Sequence, residues 1–166
     1  MARSAPIRKI SLGPADALFT CREDGAILIR SPHTLPAYAD RLTWHLAHWA
    51  SEAPERTFIA QRDADGNWRA LNYARTLVQV RAIGQALIDR GLSAQRPVAI
   101  LSGNDLEHAL LALAAMHVGV PYAPISPAYS LISTDHAKLR FILQLLTPGL
   151  IFAAHGERYA GAIAAA

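Results

Sequence analysis

Apolar and polar positions alternate along this chain in two different periods, and the change from one to the other divides it into elements. From Asp40 the apolar side chains Leu42, Leu46, Trp49 and Ala53 recur every three to four residues. That stripe predicts a helix that stops before Pro54, because the residue ahead of proline avoids the helical region. Thr57–Ala60 and Trp68–Leu71 flank Asp65-Gly66, the signature of two strands joined by a hairpin turn. Asn72 then caps a helix with an inward stripe of Tyr73, Leu77, Val80, Leu87 and Ile88, closed by Gly91. Gly84 lies inside it at a cost of about 1 kcal/mol relative to alanine, which predicts close approach by a neighbouring element.

Pro97–Leu101 is apolar on both faces, as a strand between two helix layers must be. Asn104 with Glu107 reads as a capping box for a helix over Leu106–His117 that is apolar almost all round and closed by Gly119. A strand over Val120–Ile125 follows. A further helix begins at Ser133 or Thr134 and turns Leu139, Ile142, Leu143 and Leu146 inward. Leu150–Ala153 is the next strand, and Glu157 opens a last helix that runs into alanines. Strands alternating with helices at this spacing imply an α/β fold with a parallel, layered sheet and right-handed crossovers. Residues 1–24 show no periodicity and carry Pro6, Gly13 and Pro14, so an extended arm is expected there, ahead of a short strand at Gly25–Arg30. The domain proper is expected over residues 25–166. An ending without a return strand leaves the sheet incomplete, and a truncated N-terminal portion of a larger domain is the expectation.

Composition narrows the partners. The 166 residues are 52% hydrophobic and 17% charged, which is globular usage. The net charge of +3 comes from scattered basic residues without interleaved aromatics, so no nucleic-acid surface is expected. The longest apolar run, Leu106 to Val120, is interrupted by Glu107, His108 and His117 and is too short to span a membrane. Cys21 is the only cysteine and the N-terminus lacks an apolar signal core, so a reducing, cytoplasmic setting is expected.

Candidate chemistry is sparse. The turn Ser102-Gly103-Asn104 sits between a strand and a helix start, where phosphates can bind, but it has one glycine and is read as a tight turn with a cap. His45 and His48 are one turn apart yet have no third partner at a recognisable spacing, so no metal site is expected. His108, His117 and His136 are isolated, and His117 is expected to be a hydrogen-bonded core residue. In Pro124-Ile-Ser-Pro-Ala-Tyr129 two prolines flank Ser126 at the carboxyl end of a strand. This predicts an extended loop where ligands of open α/β sheets collect.

The ordered series Leu71-Asn-Tyr73, Gly91, Val98–Leu101, Asn104 with Glu107, Gly119, and Pro124 with Pro127 resembles the opening part of the adenylate-forming acyl-CoA synthetases. Leu42–Asp63 and Ile125–Ala153 look most like the feruloyl-CoA synthetases. The resemblance implies ATP-dependent adenylation of a hydroxycinnamic acid followed by thioester formation with coenzyme A, with Mg²⁺ offsetting phosphate charge. ATP, coenzyme A, Mg²⁺ and a small aromatic carboxylic acid would thus serve the parent enzyme. None would bind this chain tightly, because the family's phosphate loop and its C-terminal catalytic lysine have no counterpart here. No catalytic residue is assigned. Some relatives carry an arginine toward coenzyme A just after the strand-exit proline; Ala128 stands there, so that role is not carried over. Ser126 and Tyr129 remain the candidates for lining a ligand cleft. The alternatives are a small stand-alone nucleotide- or metabolite-binding α/β domain and a non-catalytic interaction module that self-associates through its open face.

Overall fold

The computed structural model describes Ile10 and residues 13–166. Two compact units divide the chain, Met1–Tyr38 and Ala39–Ala166. In the first, β1 (Leu18–Cys21) pairs antiparallel with β2 (Ile27–Arg30), with Leu18 opposite Arg30 and Cys21 opposite Ile27. The arm expected over residues 1–24 therefore contains a strand, while its residues 1–9, 11 and 12 lie outside the described residues. The turn explains the pairing. Asp24 Oδ1 accepts from the Ala26 N–H, the Arg22 N–H donates to Ala26 O, and Gly25 adopts φ +82°. That left-handed conformation is open to glycine at little steric cost.

The second unit begins with α1 (Thr43–Glu52). Its buried face is Thr43 and Leu46, with Ala47 and Ala50 partly covered; Leu42 and Trp49 of the expected stripe are 66% and 39% exposed. Of the expected stripe Leu46 is buried, while the inner face is centred beside it on Thr43 rather than on Leu42 and Trp49. The hairpin formed as expected, as β3 (Thr57–Arg62) and β4 (Trp68–Asn72), antiparallel with a bulge between Thr57 and Ile59. Helix α2 (Tyr73–Asp89) is capped by Asn72, whose Oδ1 accepts from the Arg75 N–H at 2.8 Å. It buries Thr76, Val80, Gly84 and Leu87, whereas Ile88 is 51% exposed.

Strand β5 (Val98–Leu101) is the centre of the fold, and all four of its residues are fully buried. It pairs in parallel with β6 (Tyr122–Pro124) and β7 (Leu150–Ala153), giving the order β6-β5-β7. Strand β6 is shorter than the Val120–Ile125 expected. Because side chains alternate across a strand, β5 feeds two cores. Val98 and Ile100 join Val80, Leu87, Leu110, Leu111 and Ala114 of α2 and α3 (Leu106–Val118). Ala99 and Leu101 join Leu139 and Leu143 of α5 (Ala137–Leu146) and Tyr159 and Ala162 of α6 (Gly156–Ala164). The result is a helix–sheet–helix layering, the expected α/β arrangement with a small, incomplete parallel sheet. The close approach inferred at Gly84 is with α3: a Cβ there would stand 2.8 Å from Val118 Cγ1.

Three expected starts need correction. Asp105, not Asn104, caps α3, accepting from the His108 N–H at 2.7 Å. Glu107 therefore falls one residue short of the capping-box position and pairs with Arg69 instead, at 2.6 Å. Helix α5 begins at Ala137 rather than at Ser133 or Thr134, whose segment forms a turn in which Ser133 Oγ accepts from the His136 N–H. Finally, the loop expected to be extended after Pro124 is a short helix, α4 (Pro127–Leu131), with Pro127 at its first turn. Proline's fixed φ suits that position as well as it suits an extended segment.

Candidate functional site

The carboxyl ends of parallel strands are where open α/β sheets present their loops to ligands. At the end of β5 the chain turns through Ser102 to Asp105 before α3, and the turn is held from inside. His108 Nδ1 lies 2.9 Å from Ser102 Oγ and 3.1 Å from Gly103 O, and Ser102 Oγ–H donates to Gly103 O at 3.2 Å. A carbonyl oxygen can only accept, so Nδ1 bonds Gly103 O in the tautomer that carries its proton there and accepts from the Ser102 hydroxyl in the other. Ser102 is 3% exposed, with its hydroxyl within bonding distance of both Gly103 O and His108 Nδ1. That burial closes the serine to a substrate, although the structure places it beside a histidine.

The hairpin closes one wall of this region. Gln61 Oε1 accepts from the Leu106 N–H at 3.0 Å, satisfying a donor that the first turn of a helix leaves open. Arg69 reaches Glu107 from the neighbouring strand. Between hairpin and turn lies a cleft of about 460 Å³, lined by Gln61, Arg62, Trp68, Asn104, Asp105 and His108 among others. The Arg62 guanidinium sits 4.7 Å from the Trp68 ring centroid, a cation–π contact. A second cleft of about 400 Å³, reaching Asp63 and His155, continues past the end of β7. Chemically the region offers a planar aromatic surface, two arginines, the carboxylates of Asp63, Asp105 and Glu107, and hydrogen-bonding groups.

Phosphate does not fit the turn. The α3 N-terminus already holds the Asp105 carboxylate, which accepts one of its free N–H groups and repels a second anion. Ser102-Gly103-Asn104 forms the tight turn expected of it, with the helix cap one residue later at Asp105.

Ser126 and Tyr129 lie at the carboxyl end of β6. The Tyr129 N–H donates to Ser126 O at 3.0 Å within α4. Ser126 is exposed and makes no capping bond, whereas Tyr129 is half-buried against the second core. Lys138 Nζ stands 5.4 Å from the Tyr129 ring centroid, and His136 Nδ1 is 3.3 Å from Tyr129 O. Neither residue contributes to the 460 Å³ cleft. Beside them the Asp135 carboxyl is held below its ordinary range, chiefly by the Ala137 N–H and then by the Ser133 hydroxyl. His45 and His48 both contact the Trp44 ring, His48 stacked at 4.9 Å. Among the described residues no three metal-ligating side chains converge. His117 differs from expectation, since its buried Nδ1 has no hydrogen-bond partner among the described residues. No helix of the described residues is long and apolar enough to cross a membrane.

The layering, the parallel β6-β5-β7 order and the loops at the strand ends define the class: part of a layered α/β domain built on a parallel sheet. A family model described as AMP-binding enzyme matches residues 46–165, and the chain belongs to that family. A comparison with the curated proteins finds no match. Solved structures with the same fold include VinN, with a TM-score of 0.63 at 18% identity over 78% of this chain and 31% of that one. The inhibitor-bound N-terminal domain of FACL13 from Mycobacterium tuberculosis gives 0.61 at 20% identity, over 76% and 30%. The fatty acyl-adenylate ligase from L. pneumophila, in complex with acyl adenylate and pyrophosphate, gives 0.61 at 17% identity, over 69% and 20%. The chain thus spans between a fifth and a third of the length of these three structures.

Proposed function

We infer that this chain is the N-terminal part of an acid–thiol ligase that adenylates a carboxylic acid with ATP and passes the acyl group to coenzyme A. The acid is a hydroxycinnamate such as ferulate. The observation that carries this reading is the family match over residues 46–165. Support for the particular acid comes from the feruloyl-CoA-synthetase-like stretches Leu42–Asp63 and Ile125–Ala153. In this reading the chain's residues build one flank of the fold. Phosphate handling, Mg²⁺ binding and proton transfer belong to segments outside it, and Ser126 and Tyr129, outside the 460 Å³ cleft, are the residues of this chain proposed to face the ligand from the end of β6.

Acid-dependent exchange of labelled pyrophosphate into ATP is the test. The 166-residue chain should show no exchange with any acid. The same chain continued by a Ser/Thr/Gly-rich loop, its lysine and the remaining ligase domain should exchange with ferulate and much less with a long-chain fatty acid. Exchange by the 166 residues alone would overturn the assignment of the chemistry to other segments. A preference for the fatty acid would overturn the choice of acid while leaving the ligase reading in place.

A further inference from the structure

Three polar atoms at the end of β5 lie within bonding distance of one another. His108 Nδ1 is 2.9 Å from Ser102 Oγ and 3.1 Å from Gly103 O, and the two oxygens are 3.2 Å apart. Gly103 O can only accept, the hydroxyl has one proton to donate, and Nδ1 donates or accepts according to where the ring holds its own. Two arrangements satisfy this triangle. In one, Nδ1–H donates to Ser102 Oγ and Gly103 O while the hydroxyl donates to Gly103 O. In the other, the hydroxyl turns to Nδ1 and the ring proton is on Nε2. Gly103 is exposed, so its carbonyl then keeps water as a partner.

No heavy atom moves between the two. Nδ1 gives a proton to solvent, Nε2 takes one from solvent, and the Ser102 hydroxyl rotates. The frame around them is fixed: Ser102 follows the fully buried β5 and is itself 3% exposed, and the His108 N–H is held by Asp105 Oδ1 at 2.7 Å. The other ring nitrogen is free. His108 is half-exposed on the 460 Å³ cleft, its Nδ1 faces the turn, and Nε2 has no hydrogen-bond partner among the described residues. Unlike Nδ1 of His117, it is not buried.

We propose that Ser102, Gly103 and His108 form a proton switch that sets the polarity of Nε2 on this cleft. The neutral ring presents Nε2 as an acceptor in the first arrangement and as a donor in the second. A ring that gains a proton carries hydrogen on both nitrogens, which leaves only the first arrangement inside and makes Nε2 a donor outside. Charge of one sign does not decide the outcome. Asp105 of α3 and Arg62 of β3 line the same cleft, Glu107 of α3 is occupied by Arg69 of β4, and Asp63 and His155 line the neighbouring cleft. Every bond of the switch lies within residues 102–108, so it stands apart from the ligase reading.

Ring-nitrogen NMR spectra of the intact chain, labelled at histidine, test it, with His108→Gln identifying the His108 signals among the seven histidines. Above the range in which histidines titrate, both tautomers should be populated. Ser102→Ala should then shift their ratio about tenfold toward Nδ1–H, because it deletes the hydroxyl from which Nδ1 accepts and leaves Gly103 O in place. A second readout needs no variant. As pH falls, the Gly103 carbonyl carbon signal should move in step with the His108 ring, while that of Ile100, whose carbonyl accepts from the Ile125 N–H, stays still. The switch is overturned by a neutral ring held in a single tautomer, by a ratio that Ser102→Ala leaves unchanged or moves toward Nε2–H, or by a Gly103 carbonyl that does not follow the ring.

Discussion

The chain contains two hairpins built on one plan, and they end up in different surroundings. In each, a five-residue turn is closed the same way. Arg22 and Asp63 N–H donate to Ala26 O and Asn67 O, Gly25 and Gly66 N–H donate back to Arg22 O and Asp63 O, and the two glycines stand at φ +82° and +84°. Yet every residue of β1 and β2 is exposed, with Phe19 at 67% and Ile29 at 65%. The other hairpin has Phe58 packed 4.7 Å from Tyr73, Gln61 bonded to the α3 backbone, and Asn72 capping α2. Turn chemistry is therefore enough to pair two strands. Burial of a face requires residues that reach other elements, and only β3 and β4 supply them within their unit.

The sharpest way to break this comparison is a pair of matched truncations. Phe58→Ala should cost about 2–3 kcal/mol in urea unfolding, the lower end for an aromatic that is only partly buried. Phe19→Ala should stay within about 0.5 kcal/mol, as an exposed side chain does. Equal costs would remove the distinction. Next in size is Gln61→Ala, which strips the Leu106 N–H of its acceptor and should cost about 1–2 kcal/mol. A shift of the unfolding midpoint too small to resolve would mean water replaces the amide and the hairpin is not tied there. Smallest is Arg69→Ala. Its pair with Glu107 is half-exposed on both sides, so the loss should be below about 1 kcal/mol and should shrink further in high salt. A larger, salt-independent loss would give the ion pair an anchoring role that its exposure argues against.

How much of this was legible beforehand varies with the distance over which each feature is determined. Val98–Leu101 was readable because an unbroken apolar run has no face to give to water, and all four residues are buried. The second hairpin was readable from Asp65-Gly66. The first carries the same signal in Asp24-Gly25 and was obscured by the aperiodic residues ahead of it. Helix α1 was legible in part: the apolar stripe included the buried Leu46, but a polar Thr43 at 2% exposure could not be told from a solvent-facing one by apolar periodicity. Asn104 and Asp105 are adjacent and both cap well, so a single-residue choice had no local arbiter. Pro127 suits both an extended loop and the first turn of a helix, and only the fold decides between them.

The site was less legible than the fold. Gln61 and Leu106 are 45 positions apart, and nothing near either one announces their bond. The contacts of His108 Nδ1 are with two oxygens brought in by the turn, which spacing alone did not suggest. One usable hint existed: with Asp105 as cap, His108 is the third residue of the helix, placed to fold back over the turn.

Residue-resolved amide exchange on the intact chain tests the account most directly. Amides of Ala99 and Ile100 should exchange only through global unfolding, those of residues 57–62 and 68–72 more readily, and those of residues 18–21 and 27–30 almost as fast as in an unstructured peptide. Equal protection of the two hairpins would contradict the claim that anchoring residues, rather than the shared turn, separate them.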